Sequence, residues 1–212
     1  MVEVIAGIEI PDTRLVSDAT TLVRDAETDL LYHHSRRVFL FGALQGTRLG
    51  LEPDLELLYV GALFHDLGLT SKHATERRRF EVDSAHVAQN FLRDHGVSED
   101  EVARVFLAIS LHTTPNIPEF LEPEVALVSA GVETDVLGIG YDELDPQIIA
   151  EVTDAHPRPD FKARILQAFT EGNADRPQTT FGNVNADVLE RFSPGFERTN
   201  FVDIIQSSAW PE

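Results

Sequence analysis

The chain has 212 residues, 42% of them hydrophobic, and 36 acidic against 17 basic side chains give a formal net charge of −19. That is the balance of an ordinary globular chain, and it argues against a nucleic-acid groove or an anionic membrane surface, both of which need a basic footprint. There is no cysteine, so disulfides, thiolate nucleophiles, iron–sulfur clusters and cysteine-type zinc sites are excluded, and a metal must be held by His, Asp, Glu or backbone.

The start, Met1-Val-Glu-Val-Ile-Ala-Gly7, has neither a basic segment nor a long apolar run, and no stretch reaches the length of a membrane span. A soluble, cytoplasmic protein is expected. Residues 1–17 read as an irregular lead-in, and Asp18 as the cap of a short helix to Ala26. From about Thr28 to Leu49, Leu30, Leu31, His34, Val38, Phe41 and Leu44 recur at helical steps, which places His34 on the buried face. Arg36 is expected to face outward, Arg37 to lie nearer the face of His34, and His33 to point elsewhere.

Glu52-Pro53-Asp54 opens the next helix. It carries Leu55, Leu58, Ala62 and Phe64 to the doublet His65-Asp66, and Gly68 breaks it. Thr70 to Arg79 reads as a polar loop of the kind that can form a lid, with Arg77-Arg78-Arg79 solvated and His73 within reach of a site. A helix is expected from Asp83 to His95. Ser98 and Glu101 form a capping box for a helix ending at Leu111-His112. A helix from about Glu124 carries Asp135 and stops before Gly138. Asp145-Pro146 and Pro159 open two more, to His156 and Thr170. His86 reads as structural, and His95 and His156 as helix-end residues. Residues 172–199 read as loop, in which Phe181, Asn183 and Asn185 either close a pocket or simply pack. A last helix is expected over 200–208. No period-2 strand series or hairpin turn stands out. The reading is an all-α bundle of eight or nine helices in one domain spanning 1–212, with its core at about 28–140 and C-terminal helices and tail at 141–212.

Burying His65 and Asp66 beside Leu63 and Phe64 is costly unless something pairs with them, and a divalent metal is a natural partner for imidazole and carboxylate. His34, His65, Asp66, His112 and Asp135 fall on or at the ends of four expected helices, the way a helical bundle builds a metal site. This order resembles the HD-domain superfamily of metal-dependent hydrolases. The resemblance covers roughly residues 30–140 and implies an HD-domain helical bundle with His34, His65, Asp66 and Asp135 as metal ligands. The stretches His33–Gly42, Leu63–Thr70, Arg79–Asp83, Ile109–Thr114 and Val125–Gly138 resemble the cyanamide hydratase branch. That branch adds metal-activated water across a carbon–nitrogen triple bond.

Two positions depart from neighbouring branches. Two-metal HD phosphodiesterases carry a histidine where this chain has Phe80 and Glu81, which favours one metal. Nucleotidase-like members often carry a catalytic glutamate where this chain has Leu69. The expectation is a hydro-lyase for a small nitrile- or cyanamide-like molecule, with a mononuclear phosphohydrolase of nucleotides or small phosphate esters as the alternative. A non-catalytic HD module is the third reading. His112 is the candidate donor or acid and Glu81 the candidate proton shuttle or orienter of a neighbouring group, against a salt bridge from Glu81 to Arg77–Arg79. Thr70, Lys72 and Thr113 are candidate substrate contacts. One divalent ion is expected, zinc first, since His and Asp donors suit iron, manganese and nickel as well. The expected partner is a small-molecule substrate, with no nucleic acid and no membrane; a homo-oligomer is compatible with the sequence.

Overall fold

The computed structural model describes residues 2–210. Its helices are α1 (Arg14–Ala26), α2 (Asp29–Leu49), α3 (Leu55–Phe64), α4 (Phe80–Asp94), α5 (Glu99–Leu111), α6 (Pro123–Val132), α7 (Pro146–Ala155), α8 (Phe161–Asn173), α9 (Asn185–Phe192) and α10 (Phe201–Gln206). The all-α expectation holds, and no helix among the described residues is long and apolar enough to cross a membrane. Several elements differ from the expectation. α1 is capped by Thr13 rather than by Asp18, which lies inside the helix. The lead-in contains a small antiparallel hairpin, β1 (Val4–Ile5) and β2 (Ile8–Glu9), turned at Ala6-Gly7 with positive φ at both. The segment read as loop contains α9.

α2 is the axis of the bundle and packs against α3 and α6. Thr28 caps its start by accepting from the Leu31 amide, and Gly50, with φ 70°, closes its end. From His34 to Gly46 it is buried without interruption, because neighbours enclose it on all sides. Arg36 is therefore not outward: it is 4% exposed and donates to the Tyr59 hydroxyl and to Glu3. α6 crosses α2 with the backbones nearly touching. A Cβ on Gly131 would lie 2.1 Å from the Val38 carbonyl oxygen, and one on Gly42 would lie 2.6 Å from that of Leu127.

α3 is capped by Asp54, whose carboxylate accepts from the Glu56 and Leu57 amides. It ends at His65, and a 3₁₀ turn follows at Leu67–Leu69. Gly68 is needed there for a close approach, since a Cβ would sit 2.1 Å from the Phe80 carbonyl oxygen. α4 begins at Phe80, earlier than expected, and Asp83 in its first turn accepts from the Thr75 amide and hydroxyl. The capping box at Ser98 and Glu101 is present in both halves. α6 runs into a wide π turn at Glu133–Leu137, stopped by Gly138 at φ 75°. The main core joins α1 to α6; a smaller apolar cluster of Leu30, Leu31, Phe161 and Ile165 seats α8 against α2, with Leu69 and Phe169 at its edge.

Candidate metal centre

His65 and His112 occupy the same kind of place, each the residue that ends a helix. Their Nδ1–H groups donate back to the carbonyl oxygens of Ala62 at 2.7 Å and Ile109 at 2.6 Å. A carbonyl can only accept, so each ring keeps a lone pair on Nε2. His34 is held likewise: its Nδ1 lies 2.7 Å from Asp135 Oδ2. The three Nε2 atoms face Asp66. Nε2 of His34 lies 3.2 Å from Nε2 of His65, and these two nitrogens are 3.7 and 3.3 Å from Asp66 Oδ2. His112 Nε2 is 3.8 Å from Asp66 Oδ1.

All four side chains are buried, and neither oxygen of Asp66 has a hydrogen-bond partner. A buried, unpartnered carboxylate facing imidazole lone pairs is destabilising by itself. Donors of this kind at this spacing fit a divalent ion, which takes nitrogen and oxygen ligands at about 2.0–2.2 Å. His34, His65 and Asp66 bring their ligand atoms within 4.8 Å of one another. The electrostatics follow the same geometry. Burial opposes charge on Asp66, but His65, His34 and His112 hold its carboxyl well below the usual range. Burial pushes His112 down to about 3, with His65 adding to the effect.

Asp135 is placed differently from Asp66. The π turn presents its carboxylate to Arg37, whose Nε and Nη2 donate to Oδ1 and Oδ2 at 2.8 and 2.9 Å, and Arg158 Nε stands 2.9 Å from Oδ1. The structure puts Asp135 behind His34, with both oxygens engaged, rather than among the three converging donors. Arg37, near the face of His34 as expected, was not anticipated as its partner; an arginine three residues after the histidine, on the same face, was the available signal.

Glu81 makes no salt bridge to Arg77–Arg79 among the described residues. It is 1% exposed and accepts from the Thr113 hydroxyl, Asn183 Nδ2 at 3.1 Å and Asn185 Nδ2 at 3.3 Å. Burial raises its pKa, against the pull of Thr113. Glu81 and Thr113 thus share one polar knot, each next in sequence to a residue of the centre's wall, Phe80 and His112. Asn183 and Asn185 complete that knot. Thr70 instead donates to the Leu67 carbonyl, and Lys72 is exposed; neither is joined to the cluster. His33 pairs with His156, Nδ1 to Nδ1 at 3.2 Å. His86 meets Phe106 edge-on, and His95 bonds Phe91 and Asp18.

The bundle and its donor set define the class: a helical protein with a buried His/Asp cluster whose donors fit a divalent ion. A family model described as HD domain matches residues 31–145, more than half of the chain. The chain belongs to the HD-domain family, whose members are generally metal-dependent hydrolases. No curated protein matches it.

Proposed function

We propose that this protein hydrates a small nitrile- or cyanamide-like molecule, holding one divalent ion, zinc first, with His34, His65 and Asp66. The observation that carries the reading is the surroundings of the donors. Phe161 and Phe80 stand against His34 and His112, and the nearby arginines are already engaged: Arg37 and Arg158 with Asp135, Arg176 with Asp83. A phosphate ester needs unspent cations, so the alternative of phosphohydrolysis has less support.

A bound divalent ion supplies Lewis acidity and lowers the pKa of water from 15.7 to about 7. The rest falls to the chain. His112 Nε2, its tautomer fixed by the Ile109 carbonyl, accepts a hydrogen bond from the attacking water and orients it. Oxygen bonds to the substrate carbon, one carbon–nitrogen π bond breaks, the proton the water gives up goes to the nitrogen on which charge builds, and the resulting imidic acid tautomerises to the amide or urea. Glu81, through Thr113, orients the polar end of the substrate.

The test is metal quantification with a substrate panel: amide or urea formation from nitriles and cyanamide, against phosphate release from nucleotides. Amide or urea is the expected product. Folded His65→Ala and Asp66→Ala variants should lose both metal and turnover; stoichiometric metal in both would sink the ligand assignment.

A further inference from the structure

α8 lays one face over the metal centre. Phe161, Ile165 and Phe169 recur on it at four-residue steps, and Gly172 follows at the next turn. The Phe161 ring centre lies 5.4 Å from that of His34. Phe169 meets Phe80 at 6.0 Å, and Phe80 stands edge-on to His112 at 5.6 Å. Gly172 brings the helix backbone down on Leu69; a Cβ there would lie 2.6 Å from Leu69 Cδ2. Phe80 is fully buried, whereas Phe169 packs at the edge of the smaller cluster and is part-exposed. Of these wall residues, Phe169 is the one with room to move.

We infer that Phe80, Phe161 and Phe169 are the specificity wall of the centre, restricting it to uncharged ligands of few heavy atoms, with Phe169 as the size-limiting residue. Phe161 and Phe80 stand against donors that are themselves at most 5% exposed, and Phe169 stands behind Phe80, so a ligand at the donors packs against this aromatic face. Aromatic walls offer no compensation for a desolvated anion. Arg37 and Arg158 do lie against Phe161, at 4.9 and 4.5 Å from its ring centre, but their charge is committed to Asp135. An added methylene against such a wall changes selectivity by about 10–200-fold.

The choice of nitriles as substrates rests on the function proposed above, but the wall is testable without turnover. Cobalt-loaded protein is titrated with imidazole and with 4-phenylimidazole, following its visible spectrum. The wild type should bind imidazole at least tenfold more tightly. Phe169→Ala should narrow that gap at least tenfold, and Phe169→Leu, which keeps more of the packing, should narrow it partway. Equal binding of the two probes by the wild type, or a ratio unchanged in both variants, overturns the inference. In parallel, wild type and Phe169→Ala are assayed on acetonitrile and benzonitrile. A shift of kcat/KM towards benzonitrile supports the wall, and an equal loss on both substrates counts against it. Failure to hydrate any nitrile would sink the proposed reaction while the spectral ratio still decides the wall.

Discussion

Asp66 and Asp135 are both buried next to histidine, yet one carboxylate is bare and the other is saturated. That contrast separates their roles. Asp135 fixes the His34 ring and its tautomer, and removing such an outer partner typically weakens metal binding about 10–100-fold. Asp135→Asn keeps an acceptor for His34 but leaves Arg37 buried without its counter-charge, at a cost of about 3–5 kcal/mol. Chelator competition and urea unfolding should register both losses; wild-type affinity in the variant would show that Asp135 does not support His34. The pair His33–His156 sets a pH response. Burial, then Arg36, pushes His156 down to about 3, and burial, then Arg37, lowers His33. In the unfolded chain histidine titrates near 6.5. The unfolded state therefore takes up protons that the folded state refuses, so this stability is full above pH 6.5 and is lost as pH falls towards 3. Replacing His156 with Gln should flatten the decline between pH 6 and 4 by up to about 1.4 kcal/mol per pH unit. Urea midpoints measured across that range check it, and an unchanged slope would place the acid lability elsewhere.

At the scale of elements, the contact of α2 with α6 depends on having no side chain at Gly131. Gly131→Ala should overpack it by about 1–3 kcal/mol, read as a lower Tm with the same chain otherwise. A variant as stable as the parent would mean that the two helices separate freely. This contact also marks what the sequence could reveal. The helices with strong periodicity and caps, α2, α3 and α5, were legible almost to the residue, because Thr28, Asp54 and Ser98 satisfy their first amides in place. α9 was not: only Ala186 and Leu189 are buried apolar residues in it, too few to make a period. Its start is also set from outside the helix, by Asn183 accepting from the Asn185 amide. The β1–β2 hairpin is two residues a side, below the length at which alternation can be read. His34, His65 and Asp66 were legible because polar residues on apolar helical faces stand out. The saturation of Asp135 was not, since Arg158 reaches it from a connection with no periodicity.

For the whole molecule, Arg176 joins parts distant in sequence. It is 2% exposed and pairs with Asp83 at 2.7 Å. It also donates to the carbonyl oxygens of Gly68, Gly172 and Thr75. One guanidinium thereby fastens the 70–79 loop and the C-terminal segment to the turn that follows the His65-Asp66 doublet. Arg176→Met should cost about 3–5 kcal/mol and open both segments to limited proteolysis, with cuts mapped by mass spectrometry. A protease-resistant variant would assign the fastening to Arg78, which also reaches Asp83.

The convergence of imidazole nitrogens on a bare carboxylate sets proton and metal ion in competition for one place. Burial disfavours a charged His65, yet Asp66 beside it prevails and holds its pKa above the usual value. A histidine must be neutral to hold an ion, so metal affinity at this site is expected to fall as pH falls.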